Sequence, residues 1–449
     1  MNGLWNKALK VFLGTSVLQM SSILNFIVLA RLLSSQDFGH LRQLMLLNQI
    51  LFSVLFAAIP ISLLYFCGRF TDKQDKKTVA RKHFVLILGC GVVGAIGILI
   101  FKNGLSELYG NPALSHLLEL FFIFPLFYMI YNSVPTFLVA LDKTHLIKWY
   151  CPLIAIVNTL VITYVATFAS FLVVIWVLII TAGISAVIAL LLLAWLTKNP
   201  QDDVNFKDTK FTYSDVIGYS WFLVIAAAIT ILGSKIDQFI ISNKLGLEAF
   251  AVYSVGAFQI PIYSLIQSSV NSVMLPQLTS HIVNNQWDKL RSLWRESVDK
   301  ISLVALPLAA VLTVFSYEFI TLFFGDKYGD AATIFLIFSL LAPIKCISFG
   351  LIFRASGKPQ YDLIGAVVFL IISTILTFVG VTYWGDIGVA VGVVMATLLL
   401  VFLMTLLIKI YTKGEMGFFD ILPVFFFVRF IGWISLFFAF KKVIGWIQF

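Results

Sequence analysis

The chain has 449 residues, 60% hydrophobic and 12% charged, with a formal net charge of +9. A soluble domain carries roughly 25% charge, so the solvent for most of this chain is lipid, which excludes an ordinary soluble domain. Nucleic acid is not implied by the basic balance, because the cations gather in alternate loops between apolar runs. Cys67, Cys90, Cys151 and Cys346 are scattered without a CxxC pair, and the five histidines are isolated. Neither a disulfide framework nor a metal site is expected.

The first apolar run, residues 9–31, is interrupted by Gln19, Ser21, Ser22 and Asn25. It is too long for a signal peptide and no A-x-A site follows it, so it is expected to stay as a membrane helix. Runs at 44–66, 84–101, 117–141, 149–168 and 171–196 complete the first half. Those at 215–242, 248–275, 301–324, 332–353, 363–384, 387–408 and 419–440 fill the second. Each is about 20 residues or longer, enough for a helix to cross a hydrocarbon core of roughly 30 Å. The expectation is an all-α polytopic membrane protein with thirteen crossings.

Lysine and arginine positions test this topology. With the N-terminus in the cytoplasm, 21 cations fall in inner segments and 7 in outer ones, Arg31 and Arg42 among the latter. Lys235, Lys345 and Arg429 lie inside the membrane. The bias alternates loop by loop, as the positive-inside rule requires. The C-terminus is then outside after the thirteenth helix, or KKVIGWIQF (441–449) belongs to a fourteenth helix or lies at the interface.

Three short stretches recur at nearly one offset. FIVLARLLSSQDFGHL (26–41) pairs with FIISNKLGLEAFAVY (239–253), and YGNPALSHLLEL (109–120) with FGDKYGDAATIFL (324–336). VALDK (139–143) pairs with RASGK (354–358), which sets Lys143 against Lys358. The offset spans six helices, an even number, so the halves are expected to be parallel repeats. Residues 1–200 and 201–414 then form two six-helix lobes around a central cleft, with 415–449 as an additional membrane helix. Alternating access by rocking of the lobes follows from such a design.

Four motifs carry a family resemblance: LARLLSSQDFGHLRQL, KIDQFIISNKLGLEAFAVYSVG, LFFGDKYGDAATIFLIFSLLAP and FRASGKPQYDL. Together they resemble the polysaccharide-transport branch of the multidrug/oligosaccharidyl-lipid/polysaccharide exporter superfamily, over about residues 5–410. The resemblance implies a two-lobe transporter in the bacterial cytoplasmic (inner) membrane. Its closest members are O-antigen flippases, which move undecaprenyl-pyrophosphate-linked oligosaccharide to the outer leaflet. The implied partners are that lipid-linked glycan, membrane lipid, and polysaccharide polymerase and chain-length proteins. A thirteenth helix departs from relatives with twelve or fourteen.

Such a substrate needs cations for its diphosphate and hydroxyl-rich walls for its sugars. Ionisable groups inside a membrane usually face a cavity or a partner. Lys235 lies roughly 10 Å below the outer end of its helix, and Lys345 lies near the midplane. Arg31 and Arg354 sit at the outer and inner rims. The four could form a ladder of diphosphate stations, or the arginines could simply mark helix ends. Asp237 is about 200° round the helix from Lys235, so the two do not share a face. It either bonds another helix or binds a coupling H⁺ or Na⁺. Gln259, Tyr263, Gln267 and Asn271 recur every four residues, and Gln19, Ser22 and Asn25 add polar groups on the first helix. These side chains line a sugar path or join helices. Pro261 is placed to kink its helix.

No G-x-x-x-x-G-K-[ST] occurs, so ATP hydrolysis by this chain is not expected. A cation-coupled multidrug or metabolite exporter is the alternative, though it calls for acidic rather than basic cavity residues. A membrane polymerase or ligase needs a large outer loop, and the longest here, 102–116, is short. A transporter rather than an enzyme is therefore expected.

Overall fold

The computed structural model describes the backbone of residues 2–447 apart from 57, 70–71, 199–211, 259, 261 and 359. It divides into two compact units, Met1–Ile231 and Leu232–Phe449. Among the described residues there is helix and no strand. In lipid this is forced, because only a helix satisfies its own backbone hydrogen bonds within one segment.

The first unit begins with α1 (Asn2–Leu32), α2 (Ser35–Leu55), α3 (Ala58–Arg69) and α4 (Lys73–Leu108). It continues with α5 (Ala113–Phe121), α6 (Phe124–Ala140), α7 (Ile147–Phe168) and α8 (Phe171–Thr197), and α9 (Tyr213–Lys244) crosses the division. Its core gathers Leu63, Ile87, Met129, Val134, Leu138, Cys151 and Ala189. α1 packs along α7, fixed where Ser21 Oγ meets Thr159 Oγ1 at 2.6 Å and the Ala155 carbonyl at 3.1 Å. His83 ties α3 to α4, with Nε2 3.1 Å from Ser62 Oγ and Nδ1 2.8 Å from the Val79 carbonyl.

The outer faces carry apolar side chains that in water would need cover. On α7 the exposed aromatics Trp149 and Tyr164 stand at opposite ends of the helix. The residues between them span about 22 Å, which suits the two interfacial belts of a bilayer. The chain is a multi-pass membrane protein.

The second unit adds α10 (Gly246–Gly256), α11 (Ile262–Val283), α12 (Trp287–Val314), α13 (Ser316–Phe324), α14 (Ala331–Ser339), α15 (Ala342–Lys345) and α16 (Gly350–Ala355). The last elements are α17 (Gln360–Tyr411), α18 (Phe418–Ile421) and α19 (Val424–Ile447). Leu306, Ala309, Ile320, Phe324, Ile334, Phe353 and Val389 are among its buried side chains. α17 folds back on itself at Trp384 and Gly385, the latter at φ 60°, a left-handed conformation suited to glycine. Gly380 and Gly388 meet backbone to backbone across the two arms, with no room for a Cβ on either. The arms match the expected runs 363–384 and 387–408.

All thirteen apolar runs fall largely on helix, but not as thirteen uninterrupted spans. Among the described residues, eight helices are long and apolar enough to cross a bilayer, or ten if two bent pairs each count as one span. The bent pairs are α5 with α6, at 46°, and α14 with the α15–α16 stretch, at 49°. In each, a proline opens the second arm, Pro125 in α6 and Pro343 in α15. Proline is accepted at a helix start because its missing N–H is unsatisfied there anyway.

The segment expected at 248–275 is not one helix. α10 closes at Gly256, where Ala257 N–H donates to the Tyr253 carbonyl at 2.7 Å, and α11 restarts at Ile262. Pro261 and the kink expected there lie outside the described residues.

The VALDK and RASGK repeat is built identically in both units. Lys143 N–H donates to the Leu138 carbonyl at 2.7 Å, and Lys358 N–H to the Phe353 carbonyl at 2.9 Å. Asp142 N–H donates to Val139 and Gly357 N–H to Arg354, both at 3.1 Å. Asp142 and Gly357 have φ of 60° and 69°. These are two Schellman closures, one ending α6 and the other α16, at the same offset as the sequence match.

Candidate functional site

α9 positions two of the expected groups. Lys235 is half-buried and Asp237 is buried. Near them α9 lies against α17, where Gly233 approaches Phe369 and Leu370. Asp237 Oδ2 accepts a 2.7 Å hydrogen bond from the Tyr253 hydroxyl of α10. Its Oδ1 is buried without a hydrogen-bond partner, as are Gln238 Oε1 and Ser254 Oγ. A buried carboxylate satisfied on one oxygen only has capacity for a proton or cation on the other. No group of three or more His, Cys, Asp or Glu side chains able to hold a metal occurs among the described residues.

Lys345 ends α15, just beyond the 49° bend. It is half-buried, and no ion pair holds it among the described residues. Gln267 of α11 donates from Nε2 to the Ile347 carbonyl at 3.2 Å, which brings this side chain to the stretch that follows Lys345. Helix-joining is thus one role Gln267 performs. Asn271 is half-buried on the same helix. Gln259 and the Tyr263 side chain lie outside the described residues, so the four-member stripe is represented by Gln267 and Asn271.

The rim arginines differ. Arg354 Nε donates to Asp362 Oδ2 at 2.7 Å, an ion pair exposed at the end of α16. Arg31 is exposed in the last turn of α1. Gln19 and Ser22 are exposed on α1, where Ser22 Oγ donates back to the Leu18 carbonyl at 3.1 Å, whereas Asn25 is half-buried with an unpartnered Oδ1.

Two residues without an expected role find partners or surroundings of note. Arg429 of α19 donates to Asp299 Oδ1 at 2.7 Å and Ser302 Oγ at 3.0 Å of α12. With Lys441 on Glu318 at 2.6 Å, and Trp294 Nε1 donating to the Ile421 carbonyl at 3.3 Å, it fastens α18 and α19 to α12 and α13 within the second unit. Arg42, expected in an outer loop, lies instead two turns inside α2 and is buried. Apolar counting starts that helix at Leu44. The signal that would have placed it correctly is the cap: Asp37 N–H donates to Ser34 Oγ at 3.0 Å, opening α2 at Ser35.

Comparison with known proteins adds the following. The family described as polysaccharide biosynthesis protein matches residues 28–333, more than half of the chain. No curated protein sequence matches. Among solved structures, an inward-facing multidrug resistance MATE family transporter of the MOP superfamily is similar at a TM-score of 0.72 with 13% identity, covering 90% of this chain and 98% of that one. The lipid II flippase MurJ in an inward closed conformation is similar at 0.65 with 13% identity, covering 97% and 99%. A MOP superfamily transporter from Pyrococcus furiosus is similar at 0.63 with 14% identity, covering 91% and 94%. The chain belongs to the polysaccharide biosynthesis protein family, and its fold resembles that of these solved transporters.

Proposed function

We propose that the protein is a flippase for polyprenyl-pyrophosphate-linked oligosaccharide, an O-antigen or other surface polysaccharide repeat unit. It carries this substrate from the cytoplasmic to the outer leaflet of the bacterial cytoplasmic membrane by alternating access, with its N-terminus in the cytoplasm. The observation that carries the reading is the polysaccharide biosynthesis match over residues 28–333. Its support from the site is that both lysines expected inside the membrane are half-buried in the second unit, Lys345 without an ion pair among the described residues. A diphosphate is the complementary charge, and lysine serves it as a point cation. Arg31 and Arg354 mark the rims of this path, and Gln19, Asn25, Gln267, Asn271, Gln259 and Tyr263 offer hydrogen bonds to sugar hydroxyls.

Asp237 is proposed as the coupling group, taking H⁺ or Na⁺ on its free oxygen. The same feature, with the similarity to a MATE transporter, favours the second reading, a cation-coupled exporter of drugs or metabolites. The test is substitution in a strain that makes surface polysaccharide through this protein. Lys235→Ala and Lys345→Ala should each abolish surface glycan, with the protein still inserted and lipid-linked glycan accumulating inside. Normal glycan from both variants would refute the diphosphate-station role. Asp237→Asn should alter the dependence of glycan export on pH or Na⁺, and unchanged dependence assigns Asp237 to structure alone.

A further inference from the structure

Arg42 is 9% exposed, and among the described residues no other lysine or arginine is as deeply buried. It lies on α2, the helix that Ser34 caps. Its guanidinium stacks 4.9 Å from the ring centroid of Phe26 on α1, and that ring meets Phe38 edge-on at 5.5 Å. Nε is buried without a hydrogen-bond partner. Among the described residues no carboxylate pairs with it and no acceptor bonds it. Asp37, the nearest acid in sequence, is occupied by Ser34, whose hydroxyl donates to its Oδ2 at 2.7 Å. The neighbouring buried side chains turn elsewhere: Asn111 Nδ2 lies 3.0 Å from His40 Nδ1 and donates to Gln43 Oε1 at 2.6 Å.

A guanidinium carries a permanent charge and a planar fork of five donors. Intramembrane charges are retained where they meet a partner or a pathway. Here the ring supplies a cation–π contact but no acceptor for the fork. An oxyanion with two oxygens presented side by side, the geometry of a phosphate, complements that fork. Arg31, exposed in the last turn of α1, lies about 7.5 Å along the axis from Phe26 and brings a second cation to the same end of that helix.

We propose that Arg42, backed by Phe26, is an oxyanion-binding station of the first unit that takes the phosphate of a lipid headgroup. That phosphate belongs either to the polyprenyl-diphosphate carrier or to a bilayer phospholipid. The carrier as ligand rests on the flippase reading above, and the phosphate chemistry does not.

The experiment uses the full-length protein in phosphatidylcholine nanodiscs, with bound lipid counted by native mass spectrometry. Undecaprenyl diphosphate, phosphatidylglycerol and uncharged undecaprenol are titrated separately. Arg42→Gln should weaken binding of one of the two added phosphate-bearing lipids roughly tenfold or more, the scale of a lost charge-assisted pair. Arg42→Lys should weaken it less, and undecaprenol should bind all variants alike. Loss confined to undecaprenyl diphosphate makes the carrier the ligand. Loss confined to phosphatidylglycerol upholds the station as a phospholipid site even if the flippase reading fails. Retention of both affinities within about twofold overturns the proposal and leaves Arg42 as packing on Phe26. Should Arg42→Gln not fold, Phe26→Trp with Arg42 intact keeps the question open to measurement. Its emission, less that of the wild type, should change with either phosphate-bearing lipid and not with undecaprenol, and no change with any lipid overturns the proposal.

Discussion

The two units share construction and differ in buried charge. Both contain a helix bent by nearly the same angle beside a proline, and both close that helix with the same two hydrogen bonds about a residue of positive φ. The groups they bury are opposite in sign. The first unit encloses a guanidinium, Arg42, against an aromatic ring. The second encloses a carboxylate, Asp237, against a tyrosine hydroxyl. Backbone closures have few solutions and survive duplication, whereas one side chain is enough to reverse the charge at a site. A repeated frame can therefore carry buried charges of opposite sign in its two halves.

The comparison can be broken most forcefully at the shared closures. Leu138 and Phe353 occupy the same position in each and are both fully buried. Leu138→Ala should cost about 2–5 kcal/mol and Phe353→Ala about 3–5 kcal/mol, read as lowered thermal midpoints of the purified protein. A silent substitution in one unit would confine the repeat to the sequence. The polar networks come next. Tyr253→Phe removes the donor to buried Asp237, and Asn111→Ala leaves His40 and Gln43 without their shared partner, so each should cost about 1–3 kcal/mol. Replacing Gly357, at φ 69°, with alanine should cost about 1 kcal/mol, while Asp142, held at φ 60° as a non-glycine, shows that its own unit already tolerates that strain. Asp142→Gly should accordingly change stability little, since relief of the backbone is offset by losing the exposed ion pair with Lys76. A comparably small effect is expected at α19, which has no counterpart in the repeat. Arg429→Ala should cost about 1 kcal/mol or less, because its pair with Asp299 is partly exposed.

Much of the frame was legible because lipid leaves so few options. Apolar runs of sufficient length become helices, the break between the runs 363–384 and 387–408 falls at the Gly385 turn, and the third short repeat recurs as a closure at its sequence offset. What escaped depends on contacts distant in sequence or on capping rather than hydropathy. The interruption between α10 and α11 falls within a run that hydropathy reads as continuous. Arg42 looked like a loop cation because an apolar count ignores the helical turns that precede Leu44. That Asp237 meets Tyr253, and that Arg429 meets Asp299 from 130 residues away, follows only from helix packing. Lys235 and Lys345 were visible as charges inside apolar runs, but the bend beside Lys345 was not.

Transbilayer movement of a labelled carrier in proteoliposomes tests the central claim most directly. Purified protein is reconstituted with a fluorescent undecaprenyl-diphosphate oligosaccharide on one leaflet, and its accessibility to a membrane-impermeant quencher is followed without ATP. The account predicts movement with the wild type and loss of it with Lys345→Ala in equally well-inserted protein. An inert wild type whose vesicles instead expel a cationic drug down an imposed ion gradient would contradict it.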